Sequence, residues 1–300
     1  MLVYPPAPEP LPVPCYDNHT HLEIEDGERG LDLVEHMDRA EAVGVVGAVT
    51  VGGDVPSSRW CVRAAERDPR VLAAVAIHPN EAPRIAAAGD GAPDLRRLDA
   101  AIDEIDALCA HPAVRAVGET GLDFFRTGPG DRPWQFHSFE RHIEIAKRRS
   151  LAMQIHDRDA HEEVMTVLAA EGAPERTVFH CFSGDEAMAR IAAEEGWYLS
   201  FAGTVTFKNA QPLREALRVT PRERILVETD APYLTPVPFR GRPNAPYLVP
   251  YTLRFMAAEL GEDLAELTAQ IARNTLEVYG PWPERSSPPE RPSGPGGAAA

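Results

Sequence analysis

Between Tyr16 and Thr229 the chain alternates short apolar runs with longer stretches whose apolar residues recur at helical spacing. The short runs are Tyr16–Thr20, Val45–Val51, Val71–Ile77, Val114–Gly118, Ala152–His156, Thr177–His180, Trp197–Ser200 and Ile225–Thr229. Most have the Val, Ile, Leu and Phe content of strands buried on both faces, as parallel sheets require. Amphipathic stretches such as Leu31–Ala42, Asp94–Cys109, Trp134–Arg149 and Ala160–Ala170 separate them, and Tyr247–Leu260 follows the eighth. Eight strands with seven intervening helices form a repeated βα unit. A doubly wound open sheet calls for a glycine fingerprint at its first βα turn, and none is present. The pattern therefore predicts an α/β fold, a (β/α)8 TIM-type barrel, with Leu264–Tyr279 as a closing helix.

Composition sets the domain limits. At 300 residues, 44% hydrophobic and 25% charged, the chain has ordinary globular make-up and enough length for one large core. Residues 1–14 include six prolines, with no cationic start and no apolar h-region, so they predict an extended arm rather than a signal peptide or anchor. The barrel domain is expected over 15–280. After Gly280 the chain turns to Pro, Ser, Gly and Ala, which predicts a disordered tail over 281–300. No apolar run approaches the roughly 18 residues of a membrane span. Cys15, Cys61, Cys109 and Cys181 are far apart and form no CxxC pair, which argues against disulfides or a structural zinc and fits a reducing cytoplasm.

The formal net charge of −16 bears on substrate. A protein that grips long duplex DNA through many phosphates carries a basic surface, and on average this one does not. Any polyanionic substrate has to be held locally, by metal ions and a few arginines. Arginine dominates the cations, with Lys147 and Lys208 the only lysines.

The candidate chemistry falls at the C-terminal ends of the predicted strands, the face where such barrels carry their active sites. Asp17-Asn18-His19-Thr20-His21 ends the first. Residues two apart on a strand share a face, so His19 and His21 reach one point, and Asp17 is placed to orient an imidazole. Gly118-Glu119 ends the fourth, and an acid closing an apolar strand needs a partner or a cation. His156 ends the fifth, His180 the sixth, and Glu228-Thr229-Asp230 the eighth. Four histidines and two carboxylates thus gather on one barrel face, a mixed donor set suited to Zn, Mn, Fe or Ni, and to Mg with phosphate and water. His111, His137, His142 and His161 lie away from strand ends and are expected at the surface.

The stretches DNHTHL, AIHP, GETGLDFFR, QIHDRDA, FHCFSG, SFAGTVTFKNA, LVETDAPYL and NTLEVYG run in order from Asp17 to Gly280. On these the chain resembles the TatD family of metal-dependent hydrolases, within the wider amidohydrolase-like barrels. The resemblance implies two divalent metal ions (Mg, Mn or Zn), one held by His19, His21, Glu119 and Asp230, the other by Glu119, His156 and His180. Glu119 would bridge them, where many amidohydrolase relatives have a carboxylated lysine. His78 matches a substrate-facing histidine; Arg158, Lys208 and Arg242 are candidates for substrate phosphates; Asp123 and Glu228, with Asp17, are expected behind the ligands. The sequence departs from the family's RGKRNEP with Arg240-Gly241-Arg242-Pro243-Asn244-Ala245-Pro246, a loop expected to line the mouth, and has Ala152 where proline is common.

The activity implied is phosphodiester hydrolysis by a metal-activated water, with Asp230 ligating and accepting its proton beside Glu119. DNA, single-stranded or at 3′ ends, is the implied partner. A same-fold hydrolase of an ester, amide or aminoacyl-tRNA bond is the alternative, since the same metals polarise a carbonyl. A metal-binding barrel without turnover is the second, and the intact ligand set argues against it.

Overall fold

The computed structural model describes residues 3–27, 30–88 and 92–283. In chain order the elements begin β1 (Cys15–Thr20), α1 (Leu33–Ala42), β2 (Val45–Gly52), α2 (Val55–Arg67), β3 (Val71–Val75), α3 (Glu81–Ala87) and α4 (Leu95–Leu108). They continue with β4 (Val114–Asp123), α5 (Arg132–Arg149), β5 (Ala152–Arg158), α6 (His161–Glu171), β6 (Thr177–Phe179) and α7 (Glu186–Glu194). Last come β7 (Tyr198–Phe201), α8 (Gln211–Val219), β8 (Ile225–Val227), α9 (Val249–Leu260) and α10 (Leu264–Tyr279). Each strand pairs in parallel with the next, β1 through β8 in order. The expected barrel is present and nearly closed. β1 and β8 meet at their upper ends, through a bridge between Thr20 and Ala231 and the hydrogen bonds His21 N to Ala231 O and Asp230 N to His19 O. That seam lies among the expected ligands.

Sequence explains most boundaries. Asp32, Asp54, Asp94, Asp185 and Asp263 cap α1, α2, α4, α7 and α10 with side-chain bonds to first-turn N–H groups, which otherwise lack partners. β3 is buried at every position, VLAAV, as expected of an inner strand covered by helices. The connection from β3 to β4 holds two helices, α3 and α4, so eight rather than seven helices intervene between strands.

The interior is layered along the barrel axis. Alternate strand positions Val49, Val51, Leu72, Ala74, Ala116, Ala152, Val178, Tyr198 and Leu226 pack with Val278 and Tyr279 from α10 into an apolar floor. Two-residue steps along β5 from Ala152 lead to Gln154 and His156, so one strand face carries both floor and chemistry. Asn274 of α10 donates to Ile225 O and Arg222 O, and Tyr279 accepts from Gln154 at 2.7 Å, which locks the closing helix under the barrel.

Several expectations change. β4 runs past Gly118 to Asp123, which places both acids on the strand, whereas β3 stops at Val75 and leaves Ile77 and His78 in a loop. Trp282 stacks on Tyr16 at 4.3 Å and donates to Arg70 O, so the chain stays packed to the barrel beyond Gly280; residues 284–300, where most of the expected tail falls, lie outside the described residues. The described part of the proline-rich segment, 3–14, is without helix or strand and is tied down by Tyr247, just before α9, to Pro5 O and by Arg254 of α9 to Glu9 O. His142 is fully buried, not at the surface: its Nε2 accepts from Ile77 N and its Nδ1 donates to Ser138 O. Helical periodicity put it on α5 but did not show that it faces the β3 loop. His111, His137 and His161 stand partly exposed, paired with Glu66, Asp99 and Asp157.

Candidate metal centre

The two oxygens of Glu119 organise the site. Oε1 lies 3.3 Å from His21 Nε2 and 3.8 Å from His19 Nε2, while Asp230 Oδ1 is 3.5 and 3.8 Å from the same two nitrogens. Oε2 lies 2.8 Å from His180 Nε2 and 3.2 Å from His156 Nδ1. All six expected ligands converge, and they divide about Glu119 into the two sets named above. Gly121 makes this possible on the β4 side. It pairs with His156 at φ +140°, and a Cβ there would sit 2.1 Å from His156 O, so only glycine lets β4 bring Glu119 this close to β5.

A metal-binding imidazole must present an unprotonated nitrogen, which requires its other nitrogen to hold the proton against an acceptor. All four histidines meet that test. His19 Nδ1 faces Gln154 Oε1 at 2.9 Å, the amide orientation being set by Gln154 Nε2 donating to Asn18 O and Tyr279 Oη. His21 Nδ1 faces Val51 O at 2.9 Å, His156 Nε2 faces Asp123 Oδ2 at 3.3 Å, and His180 Nδ1 faces Glu228 Oε1 at 3.3 Å. Each outward nitrogen is occupied, and each inward nitrogen points at Glu119. These donors fit a divalent cation. His78 is turned the other way: its Nδ1 accepts from Asn80 N at 3.0 Å, so the neutral ring carries its proton on Nε2 and presents that N–H toward Glu119 Oε2 at 3.8 Å. It closes a third cluster with Glu119 and His156, but as a donor of hydrogen.

Charge balance in the protein alone points the same way. Burial opposes ionisation of Glu119, yet the imidazoles of His78, His180 and His156 hold its carboxyl well below the usual range. Burial likewise opposes charge on His21 and His180, but carboxylates outweigh it and lift both well above the ordinary value: Asp230 and Glu119 for His21, Glu119 and Glu228 for His180. His156 is raised against burial by Asp123 and Glu119. His19 falls well below normal, through burial and repulsion from His180. Protons and a divalent ion compete for these nitrogens, so metal binding releases protons. Burial drives His78 down to about 3, which keeps it neutral.

The centre opens into a cleft of about 590 Å³ lined by His78, Asp123, Arg126, Arg158, Cys181 and Tyr233 among others. Of the four candidates for substrate contact, His78 and Arg158 line it. Lys208 is exposed elsewhere. Arg242 is committed to the N-terminal arm, donating to Val3 O and Tyr4 O. None of residues 240–246 lines the cleft: Asn244 ties Thr229 O to Tyr233 O, and Ala245 is fully buried. The departures in that loop therefore act on the wall behind the cleft rather than on its surface. Asp17 touches no imidazole; it accepts from Thr229 N and Thr229 Oγ1, bracing the turn that carries Asp230, and burial pushes it up to about 8. Gln154 is the site residue that sequence reasoning missed. Its signal was its position two before His156, on the same strand face.

Comparison with known proteins places the chain in one family. The sequence pattern of the family described as TatD related DNase matches residues 16–280. A metal-dependent hydrolase of Mycobacterium tuberculosis, named TatD, is 45% identical over 269 residues, covering 88% of this chain and 97% of that protein. Bacillus subtilis YabD, also named a metal-dependent hydrolase, is 37% identical over 269 residues, covering 88% and 99%. A solved TatD homologue from Escherichia coli superposes with a TM-score of 0.77 at 24% identity, covering 88% of this chain and 98% of that one. The phosphotriesterase homology protein of Escherichia coli, complexed with phosphate in its active site, gives 0.63 at 13% identity over 89% and 99%. At such identities the structures share the fold alone.

Proposed function

Since the chain belongs to the TatD-related DNase family of metal-dependent hydrolases, we propose that it cleaves phosphodiester bonds of DNA, acting on single strands or 3′ ends through two divalent ions. The observation that carries this is the division of Glu119: one oxygen faces His19, His21 and Asp230, the other His156 and His180. A carboxylate shared between two donor sets is what a two-ion site needs.

His19, His21, Glu119 and Asp230 would hold one ion, and Glu119, His156 and His180 the other. Ions held there supply Lewis acidity, lowering the pKa of water and clamping phosphate oxygens. The protein's own groups do the rest. Asp230 sits at φ +53°, a conformation fixed by Asp230 N donating to His19 O and by Tyr233 N donating to Asp230 O, and its carboxylate opens on the cleft as proton acceptor for the attacking water. His78 offers an Nε2–H to a substrate oxygen, and Arg158 a cation to phosphate. Glu228 and Asp123 hold His180 and His156 in their working tautomers. No helix among the described residues is long and apolar enough to cross a membrane. A cytoplasmic setting belongs to the same proposal, supported by four unpaired cysteines.

The test is divalent-metal-dependent release of nucleotides from a labelled single strand, beside an acyl-ester control. Hydrolysis of the ester alone would overturn the nuclease reading in favour of acyl chemistry on the same metals.

A further inference from the structure

Among the described residues, two aromatic rings stand among the exposed large apolar side chains, Phe125 at 61% and Tyr233 at 52%; Tyr233 lines the cleft, and Phe125 stands beside it, against the cleft residue Arg158 and next in sequence to Arg126. They flank the centre. Tyr233 follows Asp230 by three residues, and its ring meets that of His21 at 6.2 Å, on the Oε1 side of Glu119. Phe125 follows Asp123, which faces His156 on the Oε2 side, and the Arg158 guanidinium lies over its ring at 4.0 Å.

Neither ring is a floppy surface residue. The turn carrying Phe125 is braced by Phe124 N to Arg158 O, Arg126 N to Asp123 Oδ1 and Arg132 over the Phe124 ring at 3.7 Å. Tyr233 is fixed by its own N–H to Asp230 O and by Asn244 on its carbonyl. Rings left in water on rigid backbone contribute nothing to the core, but they suit flat ligands, because every base has a π face and little ordering cost remains. Charge agrees. In a chain of net charge −16, Arg126 and Arg158 line the cleft and pair with no carboxylate among the described residues. Arg126 also borders a second cleft, of about 450 Å³, which shares Asn80 and Arg84 with the first and leads away from the centre. Aromatic and arginine alternate at Phe125 and Arg126, as a chain of bases and phosphates requires.

We propose that Phe125 and Tyr233 are stacking positions for bases on either side of the cleaved bond of a single-stranded polynucleotide, with Arg126 and Arg158 holding the adjoining phosphates. This rests on the phosphodiesterase reading above. Duplex DNA, with its bases stacked on one another, offers neither ring a free face.

The experiment uses the Mn-loaded enzyme and a labelled single-stranded thymidine dodecamer, intact or with an abasic residue on one side or the other of the cleaved bond. In the wild type each missing base should lower kcat/KM by about 5- to 100-fold, the range of one base–aromatic stack. In Phe125→Ala the penalty on one side should vanish, in Tyr233→Ala the penalty on the other, and Phe125→Trp should restore it. A purely structural role would lower all substrates together and leave the penalties intact, which overturns the proposal. So would a wild type indifferent to the missing bases. A wild type that cleaves none of the strands overturns the nuclease reading itself, a result distinct from either.

Discussion

Glu119→Gln removes one charge and leaves shape nearly unchanged. Gln can offer one oxygen to one donor set, while its amide nitrogen faces the other, where it cannot ligate. The carboxylate is 6% exposed and has five imidazole nitrogens within 3.8 Å, so little water is available to screen the loss. At about 4 Å and an effective dielectric of about 20, a unit charge pair is worth about 4 kcal/mol, and a divalent ion doubles this before the recovered desolvation is subtracted. A net loss of about 4 kcal/mol is a factor of roughly 10³ in affinity for the ion on the amide side. Turnover should fall by at least as much, since the shared ligand and the activated water go together. The variant should still fold, because His21, His156 and His180 can shed the protons that Glu119 favours. Metal content by mass spectrometry after gel filtration, with initial rates on a labelled strand and a melting curve, makes the test. A folded Glu119→Gln protein with two ions and near-normal rates would show that Glu119 does not bridge.

Gln154→Leu deprives His19 Nδ1 of its acceptor, and metal affinity should drop about 10- to 100-fold, measured by titration with Mn; unchanged affinity would refute the tautomer argument. His78→Ala should retain its metal and be impaired chiefly in kcat/KM for substrate, because His78 presents an N–H rather than a lone pair; loss of an ion would make it a ligand instead. His142 gives a pH signature apart from the centre. Burial lowers its pKa to about 4, so its neutral form contributes stability that is fully present above the unfolded value of about 6.5 and is lost as pH falls through about 4. The shift corresponds to about 3 kcal/mol, so the stability gap between wild type and His142→Gln, from urea midpoints, should narrow from pH 7 to 4.5. Parallel curves would refute it.

How much of the centre was legible in the chain depended on distance. His19 and His21 were paired by strand geometry alone, because residues two apart must share a face. The strand ends carrying Glu119, His156, His180 and Asp230 followed from apolar runs that stop at a polar residue, and a barrel brings all such ends to one rim. The acids behind the ligands were placed in the right region, but their partners were not: Asp17 was expected at an imidazole and is found at Thr229. Arg242 shows the limit most clearly. Its motif suggested phosphate, whereas the N-terminal arm, some 240 residues away in sequence, takes up its guanidinium.

By itself, then, the sequence determined the repeat of strand and helix, the barrel it closes into, the six convergent donors and the acidic balance that excludes a broad basic face. These rest on period, burial and residue type, which are local properties. Only the tertiary structure decided which oxygen of Glu119 faces which histidines, which nitrogen of each ring is free, that His142 is buried, and that the rings of Phe125 and Tyr233 are left in water. Those depend on neighbours brought together from separate strands and loops, and no local pattern encodes the ångström-scale distances and hydrogen-bond partners that fix a tautomer or expose a ring.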